Sequence, residues 1–228
     1  MPRQTITVRG ETPDRSRIEQ LLSEDAILVF DDCDLSSADL SRLNLQEASF
    51  RNCLLLETSF YAANLSRTRW QRCRAGHADF ESGDLVDAQF ESSDLNNTKW
   101  RRARLASSTF RSCKLTGAAF EEVSYLGLSF EDSLLIGADL RRMSFRKMTL
   151  VGLDFADADL SGCDFRDAVF EGGSLRDAHM EDTRFDGADL READLGGLKL
   201  VNAKQFAGAT ISPRQAAELV RTMGLNVA

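Results

Sequence analysis

The stretch Leu153-Asp154-Phe155-Ala156-Asp157-Ala158-Asp159-Leu160-Ser161-Gly162-Cys163-Asp164-Phe165 puts a large apolar residue at 155, 160 and 165, with Ala158 and Cys163 two places before the last two and polar residues between. A period of five fits neither a 3.6-residue helix nor a two-residue strand, so the amphipathic templates for both fail. Working outward, every position divisible by five from Phe30 to Leu200 carries a bulky apolar residue except Ala75. Those 35 positions hold 17 Leu, 13 of the 14 Phe, Trp70, Trp100, Tyr125, Met180 and Ala75. Two places earlier the residue is Ala, Cys, Ser, Thr or Gly in 27 of the 35 cases, as in Ala38-Asp39-Leu40 and Ala188-Asp189-Leu190. A fixed internal period is the mark of a stacked, solenoid architecture.

Over residues 26–205 this pattern resembles the pentapeptide-repeat family. The resemblance implies an all-β fold, a right-handed quadrilateral β-helix with four pentapeptides per coil and about nine coils, or about 40 Å of rod at strand spacing. The large central residue and the small one two before it would point inward, and the other three would face water. The unbroken register predicts no projecting loops. The expected domains are an N-terminal cap of short strand plus helix over 1–25, the β-helix over 26–205 and a C-terminal capping or dimerisation helix over 206–228.

Residues twenty apart should stack, so Cys33, Cys53, Cys73 and Cys113 form a column with Ser93 in its gap, and Cys163 takes the equivalent slot on another face. They read as small buried hydrophobes, with a metal or redox ladder as the alternative. Val123, Leu128, Met143, Met148 and Leu153 replace the usual small inward residue, which predicts wider or distorted coils there. An open coil end needs a cap. Thr12-Pro13 opens a predicted helix through Glu24, with Ile18, Leu21 and Leu22 on one side, after a short strand at Ile6-Thr7-Val8. At the other end Ser212-Pro213 starts an amphipathic helix that stops at Gly224. Its apolar residues Ala216, Leu219, Val220 and Met223, extended by Leu225 and Val227, predict two-fold pairing through this end; a simple monomer cap is the alternative.

The 228 residues carry a net charge of −8, which disfavours direct nucleic-acid binding because that affinity comes from Lys and Arg displacing counterions. No apolar run approaches the roughly 20 residues that cross a bilayer, and no signal-peptide core follows Met1-Pro2-Arg3-Gln4, so the expected location is cytoplasmic. His77 and His179 lack metal-type spacing and read as exposed face residues. No catalytic constellation, metal or cofactor is expected, and the chain is read as a non-enzyme.

Charge is banded along the chain: residues 26–98 carry net −6, residues 99–147 net +5 and residues 151–200 net −8. B-DNA presents about one negative charge per 1.7 Å, or roughly seven over the about 12 Å that residues 151–200 would span. The expected partner-binding acids are Asp154, Asp157, Asp159, Asp164, Asp167, Asp177, Glu181, Asp182, Asp186, Asp189, Glu192 and Asp194. Solubility alone is the competing explanation for them. The basic stretch, with Arg101, Arg102, Arg104, Arg141, Arg142, Arg146 and Lys147, has no counterpart on a duplex and could instead meet an acidic part of a partner. Leu54, Leu56, Leu134 and Ile136 fall in outward slots as a binding stripe or tolerated surface apolars.

Two stretches, Asp39-Leu40-Ser41-Arg42-Leu43 through Ala48-Ser49-Phe50 to Cys53 and the tail from Ile211 through Gln215-Ala216 to Gly224-Leu225, resemble the mycobacterial fluoroquinolone-resistance and Qnr-type branch of the family. That resemblance implies a homodimer joined at its C-terminal ends. Its acidic surface would imitate duplex DNA, occupy a type II topoisomerase (DNA gyrase or topoisomerase IV) and shield it from quinolones or other poisons. The alternative is an interaction scaffold for another protein with no topoisomerase role.

Overall fold

The computed structural model describes residues 3–24, 26–198, 203–222 and 224–227. The chain divides into two compact units, Met1–Ser133 and Leu134–Ala228. Its fold is the expected right-handed quadrilateral β-helix, built from parallel coils of twenty residues.

In the first unit β1 (Thr5–Arg9) leads to α1 (Arg15–Leu22) and then to β2 (Ile27–Asp31). One short strand per coil follows: β3 (Ser49–Arg51), β4 (Arg69–Gln71), β5 (Gln89–Glu91), β6 (Thr109–Arg111) and β7 (Ser129–Glu131), in a single parallel sheet ordered β1 to β7. The register advances by twenty, setting Phe30, Phe50, Trp70, Phe90, Phe110 and Phe130 in one column. Bridges such as Asp34–Leu54, Asp39–Ser59 and Asn44–Asn64 repeat the step on the other three sides. The interior is two aromatic stacks meeting edge-on: Phe50–Trp70 at 4.1 Å and Phe80–Trp100 at 4.2 Å within columns, Trp70–Phe80 at 5.7 Å across them. These are the offset and T-shaped geometries that aromatic quadrupoles favour. Each buried indole N–H needs a partner, and the small residue two places earlier supplies it: Trp70 donates to Thr68 Oγ1 at 2.9 Å and Trp100 to Thr98 Oγ1 at 2.8 Å.

The five-residue period follows from the corners. On three sides of a coil the N–H three residues past the central one returns to its carbonyl, as from Ala38 to Leu35 (3.1 Å) and from Ala48 to Leu45 (3.0 Å). The residue between, Ser37 or Glu47, adopts a left-handed φ of 59° or 66°, as a type II turn requires. The fourth side is the strand side, and there small inward side chains bond to backbone instead. Ser93 Oγ donates to the Glu91 carbonyl (2.9 Å), Cys53 Sγ to that of Arg51 (3.2 Å), and Ser133 Oγ accepts the Cys113 N–H (3.1 Å). The predicted column of Cys33, Cys53, Cys73, Ser93 and Cys113 is thus a row of buried hydrogen-bonding corner posts. Burial pushes the Cys113 thiol up to about 11 and, in the second unit, that of Cys163 up to about 12.

The N-terminal helix is shorter than the sequence predicts. Asp14, not Thr12, is the cap: its carboxylate accepts the Arg17 N–H at 2.8 Å, so Pro13 lies outside the first turn and Ser23 closes the helix. Ile18 and Leu21 are buried, and Leu22 is half-buried.

In the second unit β8 (Thr149–Val151) pairs with β9 (Val169–Glu171), and the step of twenty continues through Leu134–Asp154–Ser174–Asp194 and Ser144–Asp164–Arg184. Near the end it changes by one. Phe185, Gly187 and Leu190 donate to the carbonyls of Gln205, Ala207 and Thr210, a separation of twenty where the earlier coils have nineteen. The change falls between Gly196 and Gln205; a 3₁₀ turn covers Ala203–Phe206, and Phe206, the one phenylalanine off the sequence register, stacks on Phe185 at 4.9 Å. The ladder runs on to Thr210, and α2 (Pro213–Thr222) follows. Of the bulky inward residues, Leu128 in the first unit and Met143 and Leu153 in the second are buried; Val123 and Met148 are half-buried. Among the described residues no helix is long and apolar enough to cross a membrane.

Candidate protein-binding surface

Aspartate directly before a central residue is placed by the turn itself. Asp154 Oδ1 accepts the Ala156 N–H at 3.0 Å, Asp159 that of Ser161 at 3.0 Å, Asp164 that of Arg166 at 3.1 Å and Asp194 that of Gly196 at 2.9 Å. Each bond spans the central residue and braces the corner, which is why short acceptor side chains recur there.

Many of these carboxylates also hold an arginine. Asp164 pairs with Arg166 (2.6 Å), Asp189 with Arg191 (2.5 Å), Asp194 with Arg176 (2.9 Å) and Asp186 with Arg184 (3.2 Å). Asp159 lies 3.6 Å from Arg141, and Asp167 3.8 Å from Arg146. The hydrogen bond from Arg166 holds Asp164 below the usual aspartate range, and that from Arg191 does the same for Asp189. Six of the twelve predicted acids are therefore matched by a cation of their own unit. Asp-X-Arg at 164–166 and 189–191 is the sequence signal for two of these pairs, since both side chains leave the same turn.

The other acids divide by position. Asp154 is half-buried, while Asp157, Asp177, Glu181, Asp182 and Glu192 are exposed and form no ion pair among the described residues. Asp157, Asp177 and Asp182 occupy left-handed corners with φ of 58°, 53° and 55°. The register of twenty puts Asp157 and Asp177 one coil apart in a single column, about 4.8 Å of rise. Glu181 and Asp182 occupy the following corner of the coil that holds Asp177. The result is a local row of unmatched negative charge on the second unit.

Four of the six cations between Lys99 and Ser133, all of them arginines, are matched within the first unit. Arg102 meets Glu122 at 2.9 Å, Arg104 meets Asp84 at 2.8 Å and Arg111 meets Glu131 at 2.8 Å, each across the step of twenty, and Arg101 lies 3.8 Å from Glu81. These pairs lace neighbouring coils together.

The remaining candidates scatter. His77 and His179 are exposed. In the first unit Leu56 and Tyr61 are partly exposed, Leu54 is half-buried and Leu126 is 87% exposed; in the second Leu134 is partly exposed and Ile136 half-buried. At α2, Leu219 is buried within its own chain, Ala216 and Val220 are half-buried, Leu225 and Val227 are exposed, and Met223 lies outside the described residues. The sequence missed Gln215, which is buried: its Nε2 donates to the carbonyls of Leu190 and Ala193, both at 2.7 Å, while its Oε1 accepts the Ser212 N–H at 2.6 Å. In the sequence it stands within the tail that carries the Qnr-type resemblance, with nothing to mark its burial.

Models of known families match three stretches: the pentapeptide repeat region over residues 28–100, pentapeptide repeats (8 copies) over 84–121 and pentapeptide repeats (9 copies) over 145–198. No curated protein matches the chain by sequence. Among solved structures, it is similar to a trypsin-treated form of QnrB1, a plasmid-mediated fluoroquinolone resistance protein, at 20% identity over 100% of both chains with a TM-score of 0.56. It is also similar to HetL, a pentapeptide repeat protein involved in heterocyst differentiation regulation from the cyanobacterium Nostoc sp. strain PCC 7120, at 22% identity over 83% of this chain and 87% of that one, with a TM-score of 0.55. With the period of five, the step of twenty and three matching models in hand, the chain belongs to the pentapeptide-repeat family.

Proposed function

We propose that this chain is a non-catalytic DNA mimic that binds a type II topoisomerase, DNA gyrase or topoisomerase IV, and protects it from quinolones or other poisons as a resistance or immunity factor. The observation that carries the reading is the cluster of unmatched carboxylates on neighbouring corners, Asp157 and Asp177 one coil apart at strand spacing and Glu181 and Asp182 at the next corner of the coil that holds Asp177. Fixed charges at such spacing suit a cationic groove built for phosphates, and the surface offers no phosphodiester bond to cleave. The fold is that of QnrB1, a fluoroquinolone resistance protein, and the reading gives this chain a role of the same kind. Pairing through the exposed Leu225 and Val227 would double the anionic surface as a C-terminal homodimer.

The test is a gyrase supercoiling titration with and without a fluoroquinolone, scoring relaxed and linear DNA. Wild type should reduce drug-induced linear DNA, less so as salt rises. The triple variant D157N/D177N/D182N removes three charges while asparagine still tolerates the left-handed corners, and it should lose at least tenfold in potency. D189N, whose charge is already held by Arg191, should stay within about twofold.

A scaffold for another protein is the second reading, favoured by Leu126 at 87% exposure and by Leu56 and Tyr61 in the first unit. Gyrase left unaffected by micromolar protein at low salt would select it.

A further inference from the structure

The N-terminal end of the first unit is closed unevenly. On one side of the first coil the Asp34 N–H is met by the Glu11 carbonyl at 3.0 Å. On the next, Arg15 Nη1 donates to the carbonyls of Asp39 (2.9 Å) and Ser41 (3.1 Å). On the strand side the cover is β1, and β1 is itself the edge of the seven-stranded sheet.

Which of its groups are free follows from parallel-strand geometry, where a residue sends its N–H and C=O to the same side and alternate residues face opposite sides. The Ile27 N–H donates to the Gln4 carbonyl at 2.7 Å and the Gly10 N–H to that of Asp31 at 3.0 Å, so the even-numbered residues 4 to 10 face β2. Thr5, Thr7 and Arg9 send their backbone groups the other way, and all three are exposed, while Ile6 and Val8 turn inward. The edge is rich in β-branched residues and has no proline or bulge to blunt it.

We propose that this edge is a self-pairing site, at which β1 of a second copy of the chain adds in antiparallel orientation with the two-fold axis at Thr7. Three outward residues centred on Thr7 are self-complementary. Thr7 faces Thr7 of the second copy, Thr5 faces Arg9 and Arg9 faces Thr5, so all three N–H groups and all three carbonyls of each edge find partners. No arginine faces another arginine, and the Arg9 guanidinium is drawn back to Asp31 at 2.7 Å. The two seven-stranded sheets would then be joined edge to edge.

The experiment uses the full chain carrying L225E/V227E, which disables the C-terminal pairing proposed above and keeps the two ideas separable. Light scattering over a concentration series should give a dimer. Thr7→Pro removes an outward N–H and no bond to β2, so it should give a monomer with unchanged circular dichroism. Thr7→Cys should form a disulfide-linked dimer on mild oxidation, because directly hydrogen-bonded antiparallel residues have Cα atoms about 5.5 Å apart, within disulfide reach. Thr5→Cys should not, unless mixed with Arg9→Cys. The five native cysteines are buried and stay out of the reaction. A monomer at every concentration, a dimer that survives Thr7→Pro, or Thr5→Cys linking as readily as Thr7→Cys would each overturn the proposal; should Thr7→Pro fail to fold, the cysteine series decides.

Discussion

At Asp164 one carboxylate oxygen accepts the Arg166 N–H and the other meets its guanidinium, whereas Asp157 stands at a left-handed corner with no cation among the described residues. Both residues were visible in the sequence as outward acids. Their difference shows in the sequence only as the Asp-X-Arg spacing at 164–166, which a net-charge count passes over, and pairs made across a coil leave no local signal at all. The braced set makes stability acid-sensitive. The folded values of Asp139, Asp164 and Asp189 are depressed, chiefly by hydrogen bonds from Arg141, Arg166 and Arg191, so their contribution is complete above the ordinary aspartate value of 3.8 and is lost as pH falls below it. Thermal melts should fall steeply below about pH 4, and D164N should flatten that slope while costing under about 1 kcal/mol at neutral pH, since the pair is partly solvated.

The turns and caps were legible to different degrees. A count modulo five finds the coils because the centre of each side takes a large inward residue, and it loses Phe206 because one extra residue shifts every later number. Thr12-Pro13 puts the start of the N-terminal helix two residues early because proline is a common first-turn residue, and only the Asp14 side-chain bond identifies the cap. Two element-level outcomes follow. At Gly173, φ is +78° and an added Cβ would overlap the Leu153 carbonyl, so G173A should cost more than the about 1–2 kcal/mol of a left-handed alanine, read as a lowered melting temperature. Q215E keeps the shape of the α2 side chain but turns a donor into an acceptor facing the Leu190 and Ala193 carbonyls; with two acceptors stranded, denaturant titration should register a loss of about 2–4 kcal/mol.

For the molecule as a whole, the sequence carried the architecture almost completely and the charge bands only in outline. The positive band of residues 99–147 looked like a free cationic surface, yet in the first unit Arg102, Arg104 and Arg111 reach acids on neighbouring coils, a partnership set by the step of twenty and invisible to a linear count. The aromatic stacks bear on how the molecule can be watched. Trp70, Trp100, Tyr61 and Tyr125 all lie in Met1–Ser133, and Leu134–Ala228 contains none of either residue. Tryptophan and tyrosine fluorescence therefore reports one unit alone: the half bearing the unmatched acids is silent to it, and an indole introduced there in place of Trp70 and Trp100 would move the signal to that half.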